Sequence, residues 1–212
     1  RTPLNAILGF AQLLQLSALN ERQLGFVREI SNAGGHMLSL VDEMLDLARI
    51  ESGREVLRFE SVSLGTVVEN CMALLQPVAQ AKDIRMVSLL TGPAVNVLAD
   101  RKRLVQVVLN LMSNAIKYSP KGSSITLESR TAGLRKIRLI VKDQGMGIKQ
   151  ELLRELFEPF NRLDAEGRGV EGTGIGLSIS KRLMALMSGD IGVDSQWGRG
   201  SQFWIELCID GS

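Results

Sequence analysis

The sequence predicts two units: an all-α helical hairpin that pairs with a second copy as a dimeric four-helix bundle, then an α+β two-layer sandwich, its mixed sheet carrying helices on one face. Three observations carry this reading. Apolar residues recur at helical spacing from Leu4 to Ala48. A charged, glycine-containing join, Glu51 to Glu60, then breaks the pattern, and beyond it β-branched runs alternate with helical ones. The expected boundaries are residues 1–52 for the hairpin, 53–60 for the linker and 61–212 for the second unit.

In order, Thr2 to Leu16 reads as a helix with Pro3 in its first turn and a stripe of Leu4, Ile7, Leu8, Ala11 and Leu14. The break falls at Ser17 to Asn20. A longer helix follows from Glu21 to Glu51, and its apolar positions (Leu24, Val27, Ile30, Met37, Leu38, Val41, Met44, Leu45, Ala48) make a face wider than one partner helix covers. One hairpin cannot bury that face, so a homodimer through residues 1–52 is expected. Packing onto the rest of the same chain is the alternative.

The second unit is expected to hold strands at 57–62, 84–90, 95–98, 123–131, 136–143, 190–195 and 202–208, with helices at 64–82, 100–118 and 174–188. Glu158 to Gly172 lacks any period and contains glycines, a proline and mixed charges, which marks a binding loop expected to move without ligand and to order over it.

Composition narrows the classes. Across 212 residues the chain is 45% hydrophobic with a net charge of +2, too small and too interspersed for an electrostatic nucleic-acid binder. No run reaches the eighteen or so apolar residues of a membrane span. Cys71 and Cys208 lie far apart in apolar surroundings and read as buried free thiols in a reducing compartment. The start at Arg1, without initiator methionine or signal sequence, fits a segment of a longer protein.

Chemistry concentrates in three places. The strand through Val141 ends at Asp143-Gln144-Gly145-Met146-Gly147, a turn with a single carboxylate beside bare backbone. A solvated aspartate in a tight turn is the bland alternative. On the helix from Asp100 to Tyr118, Asn110, Asn114, Lys117 and Tyr118 share a stripe beside the apolar one, although mid-helix asparagines are more often merely exposed. Gly172-Thr173-Gly174-Ile175-Gly176-Leu177 opens the next helix, so glycine-bared N–H groups meet a helix N-terminus there. No Gly-Lys-Ser/Thr phosphate loop occurs, and the glycine segment lacks dinucleotide spacing.

Taken together, Asn110-x-x-x-Asn114-x-x-Lys117-Tyr118, Asp143-x-Gly145-x-Gly147, Phe157-Glu158-Pro159-Phe160 and Gly172-Thr173-Gly174-Ile175-Gly176-Leu177 resemble the four nucleotide-binding boxes of two-component sensor histidine kinases. Arg1-Thr2-Pro3-Leu4 is similar to the tail of their phosphoacceptor motif, and Leu45-Asp46-Leu47-Ala48-Arg49-Ile50-Glu51-Ser52-Gly53 to the close of their dimerisation hairpin. The resemblance implies ATP with Mg²⁺, transfer of the γ-phosphoryl to a histidine, and onward transfer to an aspartate of a response-regulator receiver domain. It implies the cytoplasmic part of a longer protein, anchored in a membrane, if at all, only through parts outside these residues.

It also implies roles for residues. Asp143 accepts from the adenine amine, Asn114 gives its amide oxygen to Mg²⁺, Asn110 sits near the γ-phosphate, Lys117 offsets phosphate charge and Tyr118 lies by the base or ribose. Gly145, Gly147, Gly172, Gly174 and Gly176 admit the nucleotide backbone-close, Thr173 and Leu177 line it, and Arg162 reaches a phosphate oxygen. Thr2 occupies the position of the family's phosphatase Thr or Asn. The acceptor histidine is expected three positions before Arg1, so His36, in the second helix without an acidic neighbour, reads as structural. Two rivals stand beside this reading: a conformational ATPase of the same nucleotide fold, which would need a catalytic glutamate where this helix has Gln106, Asn110 and Asn114, and an ATP-binding dimerisation module without turnover.

Overall fold

A computed structural model describes residues 1–90, 95–161 and 172–211. It divides into two compact units, Arg1–Arg54 and Glu55–Ser212.

The first unit is a hairpin of α1 (Thr2–Gln15) and α2 (Glu21–Glu51). Pro3 fits the first turn of α1, where its missing N–H is not needed. A capping box opens α2: Asn20 accepts from the Gln23 N–H at 2.9 Å, and the Gln23 side chain accepts from the Asn20 N–H at 3.1 Å. Gly34 of α2 lies against Leu8 of α1, and Ala11, Val27, Leu47 and Ile50 are buried. Ile7, Phe10, Leu14, Ile30, Met37, Val41, Met44 and Leu45 stay exposed, leaving an apolar face that the hairpin itself does not cover. Thr2 and His36 are both exposed.

The second unit contains β1 (Glu60–Ser63), α3 (Leu64–Ala81), β2 (Arg85–Ser88), β3 (Asn96–Ala99), α4 (Arg101–Tyr118), β4 (Ser124–Thr131), β5 (Lys136–Lys142), α5 (Gly176–Leu186), β6 (Asp190–Gln196) and β7 (Gly200–Cys208). A mixed five-stranded sheet runs in the order β2-β4-β5-β7-β6, with β2 and β4 parallel and the other pairs antiparallel. The expected single sheet needs one correction. β1 starts at Glu60 rather than at 57 and pairs only with β3, as a separate two-stranded ribbon joined to the β7 end by a bridge between Val97 and Ile209. Hydrophobic periodicity predicts strands, but pairing depends on which distant edge is free, and four-residue strands such as β1 hold little of that information.

The register sorts the two faces. Leu127, Val141 and Phe203 lie side by side, as do Leu139, Ile205 and Ile191, and these buried side chains form the face against the helices. On the opposite face Arg138 pairs with Glu206 at 2.8 Å and lies 3.9 Å over the Trp204 ring, the polar, lightly covered surface that the alternation implies. Gly192 belongs here because any Cβ would strike Trp204. Cys71 is fully buried, and burial pushes its thiol up to about 11, whereas Cys208 on the outer face is only half-buried.

Asp100 starts α4. Its Oδ1 accepts the Arg103 N–H at 3.0 Å and its Oδ2 the Arg58 N–H at 2.9 Å, so the cap also holds the incoming chain. Glu55 pairs with the buried Arg103 on the same helix. Burial works to raise the Asp100 pKa, but the N–H groups of Arg58 and Arg103 and the Arg103 charge outweigh it and leave it lowered. The stabilisation is therefore present above an unfolded carboxylate's pKa and lost as pH falls through the depressed one. Asp100→Ala is expected to cost about 1–2 kcal/mol in chemical denaturation at neutral pH, and the difference from the parent should shrink in acid. An unchanged midpoint at pH 7 would contradict the capping role.

Candidate functional site

The site grows from the open end of β5. After Lys142 the strand continues one residue in register, Asp143 N–H donating to the Ser201 carbonyl at 2.9 Å. The Asp143 side chain then turns the chain, its Oδ1 accepting from the Gly145 N–H at 2.8 Å and from the Ser201 N–H at 3.2 Å. Both donors use Oδ1, so Oδ2 receives no hydrogen bond among the described residues. Asp143 is 5% exposed. Burial raises its pKa, opposed in part by the N–H groups of Gly145 and Ser201.

The turn between β6 and β7 clasps this loop. The Gly198 N–H donates to the Met146 carbonyl at 2.6 Å and the Ile148 N–H to Ser195 Oγ at 2.8 Å. Gly147, at φ +70°, is pressed on the Gln196 carbonyl, and Gly200, at φ +97°, on the carbonyl of Asp143, so neither position has room for a Cβ. Gly145 fits between Asp143 Oδ1 and the Tyr118 carbonyl, each 2.8 Å from where a Cβ would stand. Sequence reasoning missed Ser195, Gly200 and Ser201. A Trp197-Gly198-Arg199-Gly200 turn was a visible hairpin signal, but its contact with Asp143 follows only from strand register.

The second wall is α4 against the start of α5. Asn110 Nδ2 donates to Ser180 Oγ at 2.9 Å, Ser180 Oγ donates to the Gly176 carbonyl at 2.9 Å, and a Cβ on Gly176 would lie 2.5 Å from Asn110 Oδ1. The helix starts at Gly176 rather than at 174, with no side chain capping it. Before it, Thr173 Oγ1 accepts the Ile175 N–H at 3.2 Å, Gly174 takes φ +72°, and its carbonyl receives the Phe160 N–H at 3.0 Å. Gly172 and Leu177 are half-buried beside this turn. Arg162 and most of the aperiodic loop lie outside the described residues.

Thus α4 touches one glycine turn at Asn110 and the other at Tyr118, two helical turns or about 12 Å apart along its axis. Asn114 lies midway, half-buried, its amide without a hydrogen bond among the described residues. Lys117 is exposed in the last turn and Tyr118 is 37% exposed. A buried carboxylate with one open oxygen stands at one end, glycine-bared N–H groups at a helix start stand at the other, and a free amide lies between. Such an arrangement suits an elongated ligand with an amine at one end and phosphates at the other. Among the described residues no three His, Cys, Asp or Glu side chains converge to hold a metal by themselves. No described helix is long and apolar enough to cross a membrane.

Comparison with known proteins identifies the family. Residues 99–211 match the family described as Histidine kinase-, DNA gyrase B-, and HSP90-like ATPase, and residues 1–53 match the His Kinase A (phospho-acceptor) domain. The sensor protein GacS of Pseudomonas syringae pv. syringae is 41% identical over 212 residues, covering 98% of this chain and 23% of its own length. The crystal structure of full-length ShkA in complex with AMPPNP superposes with a TM-score of 0.85 at 32% identity, over 100% of this chain and 44% of that one. The fold recurs in histidine kinase ThkA in complex with the response regulator TrrA, at TM-score 0.72 and 24% identity, over 98% of this chain and 58% of that one. The chain thus spans about a quarter of the length of this GacS protein. With a phospho-acceptor hairpin in residues 1–53 and an ATPase-family domain in residues 99–211, the chain belongs to the two-component sensor histidine kinases.

Proposed function

We propose that this chain is the catalytic core of an ATP-dependent protein-histidine kinase that dimerises through residues 1–52 and passes the phosphoryl group to a receiver-domain aspartate. One observation carries the nucleotide reading: α4 spaces the Asp143 Oδ2 from the Gly176 turn by two helical turns, with Asn114 between them, and neither Oδ2 nor the Asn114 amide has a hydrogen bond among the described residues. The apolar face that the hairpin leaves exposed supports the dimer, since a second hairpin buries it as a four-helix bundle.

Asp143 Oδ2 accepts from the exocyclic amine of adenine; guanine presents an oxygen there and is disfavoured. The amide of Asn114 fits a hard cation arriving with the phosphates, and Mg²⁺ held there neutralises phosphate charge. The N–H groups released by Gly172, Gly174 and Gly176 face phosphate oxygens with Thr173 and Leu177 alongside, Arg162 contributes a cation, and Asn110, fixed by Ser180, holds the wall near the γ-phosphate. In the reaction the bond from the γ-phosphorus to the β,γ-bridging oxygen breaks, a P–N bond to imidazole forms, ADP leaves and the imidazole gives up its N–H proton. The site supplies positioning and charge stabilisation for this transfer. In this reading Thr2, exposed at the start of α1, orients water on a docked phosphorylated receiver.

Calorimetric titration with ATP, with and without Mg²⁺, tests the assignment. Asn114→Asp is expected to shift the cation dependence of binding, because a carboxylate replaces a neutral ligand, while Leu134→Ala, at an exposed residue outside the site, leaves it as in the parent. ATP binding by Asn114→Asp with unaltered cation dependence would remove Asn114 from the metal position.

A further inference from the structure

The end of α4 has an unusual C-terminus. Four carbonyls at a helix end lack partners along the helix. Here the Ser119 N–H closes on the Ala115 carbonyl at 3.1 Å, but the next residue is Pro120, which has no N–H to offer Ile116. Ser119 takes φ −79° and ψ 144°, so no left-handed glycine cap follows, and its buried hydroxyl bonds nothing among the described residues. The missing donors come from elsewhere: Lys82, at the end of α3, donates from Nζ to the Ile116 carbonyl at 2.9 Å and to the Lys117 carbonyl at 2.6 Å. It brings a positive charge to the negative end of the α4 dipole.

This cap belongs to a continuous run of bonds that reaches Asp143. Next to Lys82, the Asp83 carbonyl accepts the Gly122 N–H at 3.0 Å and the Arg85 N–H donates to the Ser123 carbonyl at 3.0 Å. One residue on, the Ser124 N–H donates to Gln144 Oε1 at 2.9 Å, and Gln144 directly follows Asp143. Tyr118, the residue after the two capped carbonyls, sets its own carbonyl against Gly145, whose N–H in turn holds Asp143 Oδ1. Were the last turn of α4 to fray, Lys117, Tyr118 and the seat of Gly145 would all shift.

We propose that Lys82 is a positioning residue for the adenine end of the site: it replaces the N–H that Pro120 lacks and so fixes the α4 terminus against which the Asp143 turn is registered. It touches neither base nor phosphate. The inference rests on the nucleotide reading above and adds a specificity element to it.

The test is calorimetry of the parent, Lys82→Met and Lys82→Arg with Mg·ATP and Mg·GTP, each beside its thermal midpoint. Lys82→Met keeps the aliphatic stem but no donor, and is expected to weaken ATP about fivefold while changing GTP little, so the ATP-to-GTP preference falls. Lys82→Arg retains charged donors and should recover most of that preference. A role confined to stability lowers the midpoint but leaves the preference of the folded protein unchanged, and a parental preference in Lys82→Met overturns the inference. Should Lys82→Met fail to fold, Lys82→Ala, which likewise lacks a donor, is read by the same ratio. A parent that binds no ATP overturns the nucleotide reading and this inference together.

Discussion

Replacing Gly147 with alanine is expected to cost the nucleotide-binding unit about 3 kcal/mol or more, enough to unfold a marginal domain and to abolish ligand binding with it. Two independent penalties act at this position. The backbone holds φ at +70°, which an L-side chain adopts at a cost, and an added Cβ would overlap the Gln196 carbonyl, a backbone atom fixed in the β6–β7 ladder. Relief would require moving either the Asp143 loop or the hairpin that clasps it. Gly172 offers the contrast: at an ordinary φ, with no described residue within 4 Å of where its Cβ would stand, Gly172→Ala should stay within about 0.5 kcal/mol of the parent. Denaturant unfolding of both variants checks the pair, and equal stabilities would contradict the close approach at Gly147.

Asp143→Asn should move affinity and stability in opposite directions. With Oδ1 retaining the Gly145 and Ser201 N–H groups, the new Nδ2 takes the place of Oδ2 and points a donor at the adenine amine. ATP binding should weaken by about 1–3 kcal/mol, roughly fivefold to 150-fold. Stability should hold or rise at neutral pH, because the variant no longer buries a charge. The sign follows from linkage: Asp143 has a raised pKa when folded, so between an ordinary carboxylate's pKa and the raised one the folded chain holds more protons, and this group's contribution to stability declines as pH rises through that window. ATP affinity should show the opposite trend, falling as acidification protonates Asp143, in a limb that Asp143→Asn lacks. Parental affinity in Asp143→Asn would withdraw the adenine contact.

Local signals in the sequence account for most of the fold. The two hairpin helices, the Asp100 cap, the α4 stripe and the strand entering Asp143 can be read because each depends on neighbours within a few residues. Asn110 and Asn114 share a stripe by helical geometry alone, and the structure sends one of them to Ser180 and gives the other no hydrogen bond among the described residues. What escaped the sequence depends on distant partners. Ser201 reaches Asp143 across 58 residues, Lys82 reaches the α4 carbonyls across 34 and 35, and β1 leaves the main sheet for β3. No periodicity reports such contacts, since a serine opening a strand or a lysine ending a helix looks the same whatever it meets.

The central claim is phosphoryl transfer to a protein histidine rather than to water, and incubation of the full-length protein with γ-labelled ATP and Mg²⁺ tests it most directly. The account predicts a label on the protein that is lost in acid and kept in base, abolished in Asn114→Ala and retained in His36→Gln, since His36 is exposed on α2 with no acidic neighbour in sequence to take its proton. Residues 1–212 alone should bind ATP without labelling at His36. Steady release of labelled phosphate with no labelled protein would contradict it and favour a conformational ATPase.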